Sequence, residues 1–359
     1  MPIWCWRDDV DRPGNAERSG VAMGRMIDGV WVTETQIAAD PDGAWRRAPS
    51  VLRDWVTRDG TRASDGLPGA IASDVYPAEA GRYHLYGAIN CPWAHRTALV
   101  RVVMGLEDVI GLSTCAPRLT DQGWVFDAVS GFTDHLCGSA ALHELYHRSD
   151  PGYSGRATTP VLWDRHREKI VSNESADIVR MLATQFGTFA SQDAPDLYPC
   201  DLRDEIDALS SEIHDRLNNG VYRAGFAGTQ EAYEGATRDV FAMLDALEAR
   251  LGSVAGRAGH ATDTPGPFLH GSSLTETDLR LFPTLARFDV AYHSAFKCNL
   301  RRLTDYPHLW GYAKRLYRHD GVAATADFDI YRRGYHSPSA KRNPLGIVPI
   351  GPQLDWATP

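Results

Sequence analysis

The chain has no Cys-x-x-Cys pair, and its six cysteines (Cys5, Cys91, Cys115, Cys137, Cys200 and Cys298) follow no framework spacing. That excludes an internal dithiol exchange and leaves six separate thiols, read as reduced. No Cys/His pair has the close spacing of a zinc site, so no metal is expected. There is no apolar run of about eighteen residues, so no segment reads as a membrane span. Met1 to Gly20 is charged and lacks the apolar segment of a secretory signal, which makes a cytoplasmic location the expectation. Positive charge is not in excess either. The formal net charge is −9, which argues against a nucleic-acid binder.

What is present is an ordinary globular composition, 43% hydrophobic and 23% charged over 359 residues. This is enough for a sizeable core and suggests two domains. The chemistry-bearing stretch is Asn90-Cys91-Pro92-Trp93-Ala94-His95-Arg96. It follows the apolar run Tyr83 to Ile89, which reads as a strand. It precedes Thr97 to Met104, which reads as a helix with an apolar stripe at Leu99, Val100, Val103 and Met104. Cys91 therefore falls where a strand hands over to a helix, with Pro92 in the first helical turn. Free backbone N–H groups and the positive end of the helix dipole favour thiolate over thiol there. His95 and Arg96 are expected to add positive charge one turn on. An isolated cysteine is more often a small core residue; strand, cysteine, proline and helix together favour the reactive reading.

Along the rest of the chain, residues 1–80 read as an N-terminal extension and arm. Met26 to Val32 contains an Asp-Gly turn signal, Ser50 to Thr57 is a short helical candidate, and translation from Met23 is an alternative start. Residues 81–190 carry strand, helix and strand, with the second strand at Val109 to Ser113. An irregular insertion, Ala116 to Gly155, follows, with a possible helix at Ala140 to His147. A third strand is read at Thr158 to Asp164 and a fourth at Ile170 to Ser172. A helix then opens at Ser175 with Asp and Ser types in its first turn. This order, with an X-Pro at the entry of the third strand, is the thioredoxin arrangement, and a cis Thr159–Pro160 bond is expected. Ala190 to Pro199 reads as a linker. Residues 191–335 are helical throughout, with segments at Asp201 to Asn218, Thr229 to Leu251, Ser273 to Val290 and Leu309 to Tyr317. A glycine-rich loop, Gly252 to Gly266, lies between two of them, and residues 336–359 form a tail.

Six separated stretches, in order, resemble the Xi class of glutathione transferases, the glutathionyl-hydroquinone reductases. They are Cys91 to Arg96; Ser154-Gly155-Arg156 with Pro160 to Asp164; Ser172 to Ser175; Asn218 to Phe226; Phe296 to Arg302; and Asn343 to Pro349. The resemblance runs from about Met23 to Pro352. It implies an α/β thioredoxin-like N-terminal domain plus an all-α C-terminal domain, the glutathione transferase fold, and a homodimer formed through the helical half. It also implies reduction of a glutathionylated hydroquinone by thiol exchange through a cysteine and a mixed disulfide, a chemistry that suits one lone activated thiol.

Carried over residue by residue, the resemblance makes Cys91 the nucleophile. It assigns glutathione contacts to Trp124, Arg156, Ala157, Thr158, Thr159, Glu174 and Ser175, with Thr159 standing where valine is usual. Glu174 suits an ammonium group, and N–H groups at a helix start suit a carboxylate; both residues could equally be plain helix caps. Tyr222, Tyr292 and Tyr335 match or lie near the family's tyrosines, and a phenol can donate a proton to a leaving carbon. Tyr331-Arg332-Arg333-Gly334-Tyr335 departs from the usual paired tyrosines. Cys298 reads as structural, and Arg301-Arg302 as ion-pairing. The co-substrate is glutathione or, given an Ala/Arg/Gly-rich composition that fits a GC-rich genome, mycothiol. The partner is an aromatic thioether. A non-catalytic scaffold with the same fold is the third reading, and a reactive Cys91 speaks against it.

Overall fold

The computed structural model describes residues 23–34, 40–61, 75–254, 267–339 and 341–358. The expected extension at residues 1–22 and most of the glycine-rich loop lie outside the described residues.

The Asp-Gly signal becomes a hairpin. β1 (Met23–Ile27) and β2 (Val30–Glu34) pair antiparallel. Asp28 and Gly29 turn with φ of 47° and 78°, the left-handed pair that a tight two-residue hairpin requires. The hairpin docks on the loop ahead of Pro160, through Met26 N–H to Gly155 O at 2.7 Å and Gly29 N–H to Tyr153 O at 3.0 Å. The helix expected at Ser50 to Thr57 does not form. That segment is extended and borders the main sheet, with Asp54 N–H donating to Val171 O and Asn173 N–H to Leu52 O. Edge pairing with a distant strand overrides the local helical preference. The segment ends in the short β3 (Val56–Thr57), which pairs parallel to β4 (Tyr76–Pro77).

The main sheet comes next. β5 (Tyr83–Ala88) leads into α1 (Pro92–Val103), which crosses to β6 (Gly111–Cys115), parallel to β5. The insertion contains a small ribbon, β7 (Leu119–Thr120) with β8 (Gly123–Trp124), and α2 (Leu142–Ser149). β9 (Val161–Asp164) returns antiparallel to β5, and β10 (Lys169–Ser172) closes the order β10-β9-β5-β6 before α3 (Ser175–Thr184). The apolar run at Tyr83 is a strand buried at every position, as expected of a central strand covered on both faces. The second strand begins at Gly111, two residues later than the sequence suggested.

The helical half holds α4 (Arg203–Ile213), a π-helical turn at His214–Asn218, α5 (Gly220–Gly225) and α6 (Gln230–Val254). After these come α7 (Glu276–Arg287), a second π-helical turn at Phe288–Tyr292, α8 (His293–Ala295), α9 (Pro307–Tyr317) and α10 (Phe328–Tyr335). The apolar face of the first helical segment is buried at Ile206, Ile213 and Leu217 and half-buried at Leu202 and Leu209, and in α6 Val240, Leu244, Leu247 and Leu251 are buried. Thr229 caps α6 through the Ala232 N–H, and the Asp278 carboxylate accepts the Thr275 N–H at 2.8 Å at the start of α7.

One apolar core runs through both halves. Leu99 and Val100 of α1, Ile178 of α3, and Leu281 and Leu285 of α7 belong to it. The polar seam beside it is Glu276, fully buried at the start of α7. Its carboxylate takes Arg180 of α3 at 2.7 Å and Arg280 at 2.8 Å. A buried carboxylate paired this way specifies how α3 meets α7; removing its charge takes from Arg280 its carboxylate partner and leaves Arg180 with Asp207 alone, at 2.6 Å. We predict that Glu276→Gln lowers the unfolding free energy in urea by about 3 kcal/mol. A loss below about 0.5 kcal/mol, the ordinary size for a surface change, would contradict this.

Candidate active site at the strand–helix junction

Cys91 is the N-cap of α1, in extended backbone conformation, with Pro92 as the first helical residue. Its N–H closes the turn to Ala88 O at 2.9 Å, and its C=O accepts the His95 N–H at 3.0 Å. The side chain reaches the Thr159 carbonyl at 3.7 Å, and the Thr159–Pro160 bond is cis. The residue is 8% exposed, so a small face of it remains open. The other described cysteines are in different situations. Burial pushes the Cys298 thiol up to about 12 and the Cys115 thiol well above its ordinary range, so both are neutral packing groups. Cys137 is also raised by burial, and Cys200 is exposed.

The charge expected from His95 is not there. Burial, with Arg287 alongside, holds its pKa well below 6.5, so the imidazole is neutral. Its Nδ1 accepts from Arg287 Nη1 at 3.0 Å and its Nε2 donates to Thr325 Oγ1 at 2.8 Å. The cations near Cys91 are arginines. Arg96 donates to Asn218 Oδ1 at 2.7 Å and lies 4.5 Å over the Trp93 ring. Burial pulls it down to about 9, which leaves it charged at neutral pH. Arg287, wholly buried in the helical half, donates to Ile89 O at 2.7 Å and Asn90 O at 3.2 Å. It thus holds the two carbonyls that precede Cys91.

The three tyrosines come together, although they lie far apart in sequence. Tyr222 Oη and Tyr335 Oη are 2.5 Å apart, Tyr292 Oη is 3.3 Å from Tyr335 Oη, and Tyr335 donates to Asn90 O at 3.5 Å. Burial raises the pKa of all three, and a charge on Cys91 further disfavours ionisation of Tyr222 and Tyr335. They are therefore neutral phenols at pH 7. Gly334 allows this closeness, since a Cβ there would sit 2.4 Å from the Asn90 side-chain amide.

The remaining predicted residues have these partners. Glu174 caps α3, accepting Ala176 N–H at 3.1 Å and Ser50 Oγ–H at 2.9 Å. Burial pushes its carboxyl up, but those donors and Arg47 and Arg96 outweigh it and leave it ionised. Ser175 Oγ meets Arg96 Nη1 at 3.5 Å. Thr158 is pinned by Tyr146, whose hydroxyl donates to Thr158 O at 2.8 Å. Thr159 Oγ1 is buried without a hydrogen-bond partner. Trp124 and Ala157 pack, half-buried, on the cluster that holds Cys91, while Arg156 is exposed.

Several neighbours escape a reading of the sequence. Trp45 of the arm stacks on Phe226 at 5.4 Å, and Arg47 lies 4.7 Å over Trp93. Arg342 of the tail lies 4.3 Å over Phe226. The aromatic and basic run Trp45-Arg46-Arg47 was the available signal for the arm; nothing local marks Arg287 or Arg342.

Neutral buried histidines give a signed pH dependence. His84, 7% exposed, is pulled down to about 4 by burial, and His95 lies well below 6.5. Unfolding lets both bind protons below pH 6.5, so folded-state stability is full above that value and is lost as pH falls. We predict a decline of about 1.4 kcal/mol per pH unit for each of them between pH 6.5 and 5. A urea-unfolding free energy that stays flat across that window would refute it.

Comparison with known proteins agrees with this geometry. Residues 90–185 match the family model for the glutathione S-transferase N-terminal domain, and residues 230–315 match that for the C-terminal domain. The glutathionyl-hydroquinone reductase YqjG of Escherichia coli is 42% identical over 94% of this chain and 98% of its own. The glutathionyl-hydroquinone reductase PcpF of Sphingobium chlorophenolicum is 40% identical over 92% and 96%. Among solved structures, glutathione-bound YqjG superposes with a TM-score of 0.79 at 41% identity, covering 94% of this chain and 98% of that one. The Xi-class transferase of Natrialba magadii does so with a TM-score of 0.80 at 36% identity, covering 94% and 95%. The chain belongs to the glutathione transferases and, among them, to the Xi class, the family of glutathionyl-hydroquinone reductase enzymes.

Proposed function

We propose that the protein returns glutathionylated hydroquinones to free hydroquinones, with Cys91 as the nucleophile and glutathione as the reductant. The observation that carries this reading is a single thiol at a helix N-terminus beside three neutral, mutually hydrogen-bonded phenols. Relatives at 40–42% identity that bear the name glutathionyl-hydroquinone reductase support it.

The Cys91 thiolate attacks the sulfur of the aryl thioether. A sulfur–sulfur bond forms and the aryl carbon–sulfur bond breaks. Its electron pair passes to the ring, and the ring carbon takes a proton from the Tyr222–Tyr335 pair. The two sulfurs are oxidised to a mixed disulfide and the aryl carbon is reduced. A second glutathione thiolate then attacks the glutathione sulfur, which frees Cys91 and leaves glutathione disulfide. The proton given up by that second thiol restores the phenol. Neutral tyrosines suit this role because they still hold the proton to be donated.

The tripeptide is fitted by residues of the α/β half and the arm. The ionised Glu174 suits an ammonium group, and Arg47 and the start of α3 suit a carboxylate. The Thr159 backbone and its partnerless hydroxyl suit the central peptide. Mycothiol, a cysteinyl sugar with neither a γ-glutamyl ammonium nor a glycyl carboxylate, would leave these groups unused and is the second reading. A cytoplasmic homodimer belongs to the same proposal.

Replacing Cys91 by Ser is predicted to lower kcat for glutathionyl-hydroquinone reduction by about a thousandfold or more, with far-UV circular dichroism unchanged. Tyr222→Phe is predicted to cost about a hundredfold in kcat. Free hydroquinone resolved by chromatography reads both. Full activity in the serine variant removes the nucleophile, and faster turnover with the mycothiol conjugate moves the assignment to that thiol.

A further inference from the structure

We infer that Arg342 is a specificity-determining residue of the aromatic site and binds an oxyanion carried on the substrate ring. This inference rests on the aromatic site proposed above and goes beyond it by naming a chemical class of ring.

Arg342 lies in the tail, outside both family-model matches. A turn fixes it in place: Ser339 N–H and Asn343 N–H each donate to the other residue's carbonyl at 3.0 Å, and the Asn343 side chain donates to Ile347 O at 3.1 Å. The guanidinium lies 4.3 Å over the Phe226 ring and 5.6 Å from the centre of Phe296. Those two rings form one wall with the reaction-centre phenols. Phe296 meets Tyr222 edge-on at 5.2 Å and Tyr335 at 5.4 Å.

Among the described residues no carboxylate lies within ion-pair distance of the Arg342 guanidinium, and no hydrogen bond to it is found. The charged or titratable groups it senses are the Tyr222 and Tyr335 hydroxyls, which stay neutral, and burial lowers its own pKa. The two phenyl faces hold the guanidinium by cation–π contact without neutralising it. It is half-buried, so part of it meets water and the rest faces the aromatic wall without a counter-charge. A ring oxyanion would supply that counter-charge through a charge-assisted, forked hydrogen bond. The surroundings favour it. In a chain of net charge −9, the arginines Arg47, Arg96, Arg287 and Arg342 all lie over aromatic rings at this site. The local field therefore draws anions into a protein whose whole repels them.

The test uses the full chain and two probes, one charged and one neutral: gentisate, a hydroquinone bearing one carboxylate, and its methyl ester. Their affinities are measured by calorimetry on the wild type, Arg342→Gln and Arg342→Lys. The wild type is expected to bind gentisate about tenfold or more tightly than the ester. Arg342→Gln should abolish that preference while leaving the ester within about twofold, and Arg342→Lys should keep part of it. Equal affinities for both probes in the wild type overturn the inference. So does an equal loss for both probes in Arg342→Gln, which would show a packing role only. Turnover of the two glutathionyl conjugates is followed in parallel. Absence of turnover with either conjugate strikes the reductase reading, whereas the affinity ratio alone decides the role of Arg342.

Discussion

The site depends on one buried cation donating to the turn that ends in Cys91. Arg287 comes from the helical half and has no carboxylate partner among its hydrogen bonds. It donates to the carbonyls of Ile89, Asn90 and Pro283 and to His95 Nδ1. The carbonyls of Ile89 and Asn90 lie in the turn, outside strand and helix pairing, where a dry setting would otherwise leave them under-satisfied. A cation placed there fixes where β5 stops, how α1 starts, and how the two halves sit about the thiol. It also fixes His95 as a neutral acceptor, so the positive charge near Cys91 comes from Arg96 and Arg287 instead.

From that constraint the division of labour follows. The α/β half supplies the sulfur, the Thr159 carbonyl opposite it and the capped, anionic Glu174. The helical half supplies phenols that burial keeps protonated. Both π-helical turns lie beside the site. One delivers Asn218 to Arg96, and the other ends at Tyr292. An extra residue in a helical turn re-aims a side chain that a regular helix would point elsewhere, which is why such turns collect at working positions. The arm and the tail complete the wall by bringing Trp45 and Arg342 onto the same Phe226 ring.

How much of this could be read from residues alone divides along physical lines. The α/β half was legible because alternating and helical apolar periods, a Cys-Pro junction and an X-Pro strand entry are local signals. The long helices were legible for the same reason. The Ser50 to Thr57 segment was misread because its backbone partners, Val171 and Asn173, lie more than a hundred residues away. α5 and α10 are one or two turns long, too short to show a period, yet they carry Tyr222 and Tyr335. The tyrosines were reachable through family resemblance only. Arg287 and Arg342 carry no local mark, because what sets them apart is the lack of a carboxylate partner, and a sequence does not display that.

The central claim is that the thioether is cleaved by Cys91 with its own sulfur as the acceptor. A single-turnover experiment tests it most directly. The protein is mixed with glutathionyl-hydroquinone in the absence of free glutathione, quenched, and examined by peptide mass spectrometry. The account predicts one glutathione joined by a disulfide to the peptide containing Cys91, and one hydroquinone released per adduct. Hydroquinone released without that adduct, or an adduct on another cysteine, would contradict it.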